Sequence, residues 1–100
     1  MKTNTTEGKI LKDYRQYLKL EKALSANTIE AYLNDLSKLV RFLKDNEIPL
    51  LEAQLEHLES FSASLHDIGI HPRSQARILS GIRSFYHFLV MENYLQADPS

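Results

Sequence analysis

The amino-acid sequence predicts an all-α protein of four amphipathic helices joined by short connections. Apolar residues recur at intervals of three and four along four separate segments, as on one face of a helix. No segment alternates apolar and polar residues with the period of two expected of a half-buried strand. The three Gly and three Pro residues stand mostly between the segments. Four such helices fit a compact helical domain of one hundred residues.

The first predicted helix runs from residue 9 to about residue 22. The polar segment before it, residues 1–8, is expected to be a disordered tail because it has little to bury. The apolar stripe of this helix comprises Ile10, Leu11, Tyr14, Tyr17, Leu18 and, at its end, Leu24.

The second predicted helix begins at Ser25 or Asn27, either of which can cap free N–H groups. Glu30 follows Asn27 by three residues, as a capping box requires. The helix is expected to end near Asp45, because the residue before Pro49 is pushed out of helical geometry. Its stripe comprises Ile29, Tyr32, Leu33, Leu36, Leu39, Val40 and Leu43.

A turn at residues 50–53 leads into the third predicted helix, roughly residues 54–68, with Gly69 as its C-terminal cap residue. Its stripe comprises Leu55, Leu58, Phe61, Leu65 and Ile68. The fourth helix starts around Pro72, a residue favoured at the first helical position, and runs to about Glu92. Its core positions are Ile78, Leu79, Ile82, Phe85, Tyr86, Leu89 and Val90. Gly81 lies inside this helix at a cost of about 1 kcal/mol relative to Ala, which suggests that close helix packing requires it.

Composition excludes several classes of protein. An apolar fraction of 43% and a charged fraction of 25% are those of a soluble globular domain. The absence of Cys excludes disulfides and thiolate metal sites and suits a reducing compartment. No apolar run is long enough to span a bilayer or to form a signal peptide, so we expect a cytoplasmic protein with no membrane partner.

Charge is distributed unevenly along the chain, although the net charge is only -1. Residues 46–70 contain five acidic residues and no Lys or Arg, so all 12 basic residues lie elsewhere. A nearly neutral domain can therefore present a basic face and an acidic back. Charge alone nevertheless favours ordinary solvated helix faces.

Catalytic patterns are missing from the sequence. His57 and His66 lie nine residues apart and cannot share one helical face, and no HExxH or phosphate-binding glycine motif occurs. The four histidines, which also include His71 and His87, are best interpreted as solvated surface residues. Tyr14, Tyr17, Tyr32 and Tyr86 fit core packing with the hydroxyl in water. We expect no catalytic residue, no metal and no cofactor.

Two helix starts indicate nucleic-acid binding. Residues 25–28, Ser-Ala-Asn-Thr, open the second helix, and residues 71–77, His-Pro-Arg-Ser-Gln-Ala-Arg, open the fourth. A helix N-terminus suits a phosphate, and these polar side chains can read base edges. Four residues of the fourth helix are spaced by four, three and four positions, which places them on one face: Arg73, Arg77, Ser80 and Ser84. Arg83 flanks this face.

The same features also fit N-terminal capping with a solubilising surface. For either helix start alone, that interpretation is the better one. Taken together, the two helix starts and the absence of acidic residues between Asp67 and Glu92 support the two interpretations equally.

The order of two motifs resembles a known family. Residues 25–36 read S-x-N-T-x-x-x-Y-x-x-D-L, and residues 83–89 read R-S-F-Y-x-F-L. Together with Tyr17-Leu18 before them and Asp98-Pro99 after them, they resemble the core-binding domain of tyrosine recombinases and phage-type integrases of the Xer branch. The resemblance covers residues 10–99, and the excess of acid in the third helix is a departure from it.

The resemblance implies a SAM-like bundle of two crossed helical hairpins that forms one jaw of a clamp around a recombination half-site. It implies a core-binding domain at residues 9–97 and the start of an interdomain linker at residues 98–100. The nucleophilic tyrosine and its partners would belong to a further, C-terminal domain that these residues do not contain. The chain is therefore expected to be non-catalytic, as part of a tyrosine recombinase that acts in DNA integration or chromosome partition.

The resemblance also implies which residues face double-stranded DNA. On the second and fourth helices, the residues in the major groove would be Asn27, Thr28, Ala31, Arg73, Ser74, Arg77 and Ser80. The phosphate contacts would be Ser25, Lys38 and Arg83. Other recombinase protomers would be partners of the full-length protein.

The alternative from a different class is a helical protein-interaction or regulatory module without nucleic-acid binding. The distribution of basic residues distinguishes the two hypotheses. Clustering on the second and fourth helices favours DNA binding, and an even spread favours the interaction module.

Overall fold

The computed structural model describes residues 3–100, with side chains from Glu7 onward. It contains four α-helices: α1 (Thr3–Leu20), α2 (Ala26–Asp45), α3 (Leu55–Asp67) and α4 (Pro72–Met91). A short 3₁₀ turn, Leu50–Glu52, precedes α3. No strand occurs within residues 3–100, so the prediction of an all-α fold with four helices is confirmed.

The largest difference from the predicted boundaries concerns α1. The helix begins at Thr3, so residues 3–8 are helical and do not form the predicted tail. Met1 and Lys2, the rest of that predicted tail, lie outside the described residues. The helix ends at Leu20, and the chain then turns through Ala23, whose φ of 53° lies in the left-handed region.

The chain divides into two units, and the division falls inside α2, between Asn34 and Asp35. In the first unit, α1 buries one residue per turn on a single face, namely Ile10, Tyr14 and Leu18. The first part of α2 adds the buried side chain of Ile29. Leu11 and Tyr17, at the edges of the predicted stripe of α1, are half-buried.

The second unit contains the larger core. The buried apolar residues of this unit are Leu36, Leu39, Leu43, Leu50, Ala53, Leu58, Phe61, Leu65, Ile78, Ile82, Phe85, Tyr86, Phe88 and Leu89. The rings of Phe42 and Phe61 meet with their centroids 5.4 Å apart. The hydroxyl of Tyr86 donates a hydrogen bond to the Leu50 carbonyl oxygen at 3.2 Å, so the prediction of a solvated hydroxyl is wrong for this tyrosine.

Two predicted core residues of α3 are exposed. Leu55 is 54% exposed and Ile68 is 73% exposed, and the prediction that both are buried is wrong. Leu55 is the first residue of the helix and Ile68 is the cap residue beyond its last turn, so neither belongs to the stripe formed by Leu58, Phe61 and Leu65. The predicted stripe of α4 did not include Phe88, which is buried in the structure.

Three helices of the second unit end in the same hydrogen-bond pattern. After α3, Gly69 has a φ of 88°, and the N–H of Ile70 reaches back to the Leu65 carbonyl at 3.0 Å. This is the Schellman motif, for which glycine is the usual residue. At the ends of α2 and α4, Glu47 and Asn93 occupy the left-handed position instead, with φ of 58° and 64°. The turn at Glu47 ends α2 before Pro49 is reached.

Gly81 should be replaceable with a gain in stability. A Cβ atom added at Gly81 would meet no other atom within 4 Å, so the expectation that helix packing requires glycine is wrong. We expect Gly81→Ala to raise the free energy of unfolding by about 1 kcal/mol, because Ala restricts the unfolded chain. Urea denaturation followed by circular dichroism measures the change.

The matched control is Gly69→Ala. It should lower stability by about 1–2 kcal/mol, because its φ of 88° disfavours any Cβ. A loss of stability in Gly81→Ala would mean that α4 does rely on close approach at this position.

Candidate nucleic-acid interface

The start of α2 is capped by Ser25 rather than by Asn27. The Ser25 hydroxyl oxygen accepts a hydrogen bond from the Thr28 N–H at 3.2 Å and donates one to the Thr28 hydroxyl at 3.0 Å. The predicted capping box of Asn27 and Glu30 is therefore wrong. The Glu30 carboxylate instead accepts a hydrogen bond from the Arg15 guanidinium at 2.8 Å, which joins α1 to α2 within the first unit.

The predicted contact residues of the first unit all lie at the protein surface. The exposed residues are Ser25, Asn27, Thr28 and Ala31. The Ser25 cap uses one backbone N–H of the first turn of α2, and the side chains of Asn27 and Ala31 are exposed.

The start of α4 is capped by a histidine. The Nδ1 atom of His71 accepts a hydrogen bond from the Arg73 N–H at 3.1 Å, and Pro72 occupies the first helical position. The side-chain amide of Gln75 donates to the Ile70 carbonyl at 2.8 Å. Sequence reasoning had assigned this amide to possible base contacts, but it closes the turn that leads into the helix.

The polar face of α4 is exposed along its length. Arg73, Arg77, Ser80 and Arg83 are exposed, and Ser74 is half-buried. No acidic residue occurs between residues 68 and 91. The opposite face of the same helix forms much of the core, so packing fixes which side chains point outward.

Arg77 is anchored by a buried carboxylate. Its Nε atom donates to Oδ2 of Asp35 at 3.0 Å, and its Nη2 atom donates to Oδ1 at 3.0 Å. Asp35 is only 4% exposed and is the one buried residue with a charged side chain among those described. The Nζ atom of Lys38, one turn further along α2, lies 3.7 Å from Oδ1. The Arg77 side chain itself remains 60% exposed.

Sequence reasoning did not identify Asp35 as a functional residue. A signal was present, because Asp35 directly precedes Leu36 on the apolar side of α2, and a buried acid needs a paired cation. Arg77 lies 42 residues further along the chain, so local spacing could not identify it as the partner.

Arg83 lies beside a groove between α3 and α4. The groove has a volume of about 230 Å³ and is lined on the α3 side by Leu55, Leu58 and Glu59. Leu79 and Ile82 line the α4 side together with Arg83. Arg83 therefore flanks the face of Arg73 and Arg77, on the side that borders the acidic helix.

Tyr86 and two histidines are held in hydrogen bonds within the described residues. Within residues 3–100, no group of three His, Cys, Asp or Glu residues is placed to hold a metal ion. Burial, and secondarily the charge of Asp98, raises the pKa of Tyr86 well above its ordinary value. Its hydroxyl is also bonded to Leu50, so Tyr86 is unsuited to act as a nucleophile. His57 and His71 both accept backbone hydrogen bonds at helix starts.

The comparisons with known proteins identify the family. Residues 11–93 match the family of the phage integrase N-terminal SAM-like domain. The chain belongs to this family. This family belongs to the tyrosine recombinases, a class of protein that acts in site-specific recombination.

The similar proteins are named as tyrosine recombinases. The chain is 38% identical to tyrosine recombinase XerD of Staphylococcus saprophyticus over 91% of its length, and 37% identical to XerD of Chlorobaculum tepidum over 92%. It is 39% identical to tyrosine recombinase XerC of Pseudomonas savastanoi pv. phaseolicola over 87%. The chain spans only 29% to 31% of the length of these relatives. No solved structure matches it. None of the helices in the described part could cross a membrane.

Arg77 should contribute to stability, whereas Arg73 should not. We expect Arg77→Ala to lower the free energy of unfolding by about 1–3 kcal/mol, because it leaves the Asp35 carboxylate buried with one weaker partner. Chemical denaturation of both variants measures the effect, with Arg73→Ala as the matched control, expected within about 0.5 kcal/mol of the wild type. Equal stability of the two variants would show that the pair with Asp35 adds nothing to folding.

Proposed function

We propose that this chain is the DNA-binding domain of a site-specific tyrosine recombinase and grips a recombination half-site through α2 and α4. The observation that supports this most is the exposed, acid-free face of α4, which carries Arg73 and Arg77. An arginine-bearing helix face of this kind fits the major groove, where arginine is the most frequent specific contact. Membership of the recombinase domain family agrees with this role.

The proposed contacts divide by chemistry. Side chains that can meet base edges are Asn27, Thr28, Ala31, Arg73, Ser74, Arg77 and Ser80. Phosphate contacts are assigned to Ser25, Lys38 and Arg83. The bases would set sequence preference and the phosphates would supply most of the affinity.

The hundred residues would bind DNA without cutting it. Relatives named as tyrosine recombinases are about three times as long as the matched segment. We infer that strand cleavage and rejoining belong to a separate domain of a longer protein, and that other protomers of that protein assemble on the same DNA.

A protein-interaction module is the second candidate. The exposed side chain of Leu55 on α3 borders the groove toward α4, and the surrounding charges on α3 are acidic. An acidic surface with apolar residues suits a protein partner better than DNA. DNA binding with the salt dependence given below is what separates the two candidates.

The isolated chain should bind duplex DNA weakly and with strong salt dependence. We expect a dissociation constant of about 10⁻⁴ to 10⁻⁶ M at physiological salt, because one domain of a clamp supplies few phosphate contacts. Fluorescence anisotropy across a salt series gives the affinity and the slope. Arg73→Ala should weaken binding without loss of stability.

Glu56→Ala on α3 is the control for that experiment. Removing an acid from the face assigned away from DNA should leave affinity unchanged or slightly increased. Damage to binding by Glu56→Ala, with none from Arg73→Ala, would show that the proposed face is the wrong one.

The chain should form no covalent bond with DNA. A duplex containing a nick traps the tyrosine–phosphate intermediate of a recombinase, and denaturing electrophoresis detects it. We expect no shifted band at any concentration, because the nucleophilic tyrosine and its partners are assigned to a separate domain. A trapped adduct would place the chemistry within these hundred residues.

A further inference from the structure

The pair with Asp35 leaves one defined edge of the Arg77 guanidinium available. The guanidinium has five N–H donors in a rigid fork, and the edge formed by Nε and Nη2 is used by the two oxygens of Asp35. The Nη1 donors and the second donor of Nη2 form the other edge. That edge can make two parallel hydrogen bonds, and the side chain is 60% exposed.

The anchor also fixes the direction of that edge. Asp35 is 4% exposed on α2 and is held by its burial, so its carboxylate is a rigid support for the guanidinium. A side chain already ordered before binding loses less conformational freedom on contact with a ligand. The arrangement therefore favours a partner with two acceptors at fixed spacing.

The charge of the Arg77–Asp35 pair favours a base over a phosphate as that partner. The carboxylate cancels most of the charge of Arg77 and leaves its directional donors intact. A phosphate contact depends mainly on charge, whereas the contact with O6 and N7 of guanine depends on two aligned donors. Lys38, whose ammonium lies 3.7 Å from the same carboxylate, is a point charge without a fork and suits a phosphate.

We propose that Asp35 is a positioning residue that makes Arg77 a reader of guanine in the major groove, with Lys38 as the neighbouring phosphate contact. This inference rests on the proposed DNA-binding function. It assigns a role to a buried residue that does not itself touch DNA.

The experiment measures base preference and salt dependence separately. The 100-residue chain selects duplexes from a randomised pool at low salt. The preferred duplex and its single-base-pair variants are then compared by anisotropy. For the wild type we expect a guanine at one position to be preferred by about 5- to 100-fold.

Three variants distinguish positioning from simple charge. Asp35→Asn should lose the guanine preference while the slope of log K against log salt becomes steeper by about one unit, since Arg77 is no longer neutralised. Arg77→Lys should lose the same preference with the wild-type slope. Lys38→Gln should keep the preference and lose about one unit of slope.

Folding is checked by thermal denaturation of each variant. If Asp35→Asn does not fold, Arg77→Lys decides the question, because lysine keeps the charge that pairs with the buried Asp35 carboxylate. Retention of the guanine preference by Arg77→Lys, or by a folded Asp35→Asn, would overturn the inference. Wild-type DNA binding without any base preference would also overturn it and leave the proposed function standing. Absence of DNA binding would overturn both.

Discussion

The buried carboxylate of Asp35 is the constraint on which the exposed face of α4 depends. A charge that is removed from water must be paired, and the partner has to approach with good geometry. Arg77 meets this requirement with two hydrogen bonds of 3.0 Å. The same contact therefore sets the register of α4 against the second part of α2 and orients a cation at the surface. Stability and presentation of the arginine are coupled in one interaction.

The two faces of α4 have different roles. One side supplies Ile78, Ile82, Phe85 and Leu89 to the core of the second unit, which fixes the rotation of the helix about its axis. The other side carries polar and basic residues without a single acid. Residues 46–70, which include α3, contain five acidic residues and no Lys or Arg. A nearly neutral domain can in this way keep one helix face suited to an anionic partner.

Most of the correct predictions came from local patterns in the sequence. Helix number, helix order and the stripes of α2 and α4 follow from the spacing of apolar residues, which is a property of each segment alone. Leu55 and Ile68 were misplaced because periodicity does not reveal that Leu55 is the first residue of α3 and that Ile68 lies just beyond its last. Asp35 and Arg77 are 42 residues apart, so their contact exists only after the second unit has folded. Residue spacing along α4 placed Arg77 on the candidate face, and only the structure shows what holds it there.

Three helices end on residues other than glycine in the left-handed conformation: Ala23 after α1, Glu47 after α2 and Asn93 after α4. Only α3 has glycine at this place. Side chains with a Cβ carry a cost of about 1–2 kcal/mol in this conformation, less for Asn. The fold thus tolerates backbone strain at three helix ends. Its architecture would therefore also accept glycine at these positions. In protein engineering, these turns are where stability can be added far from the exposed face of α4.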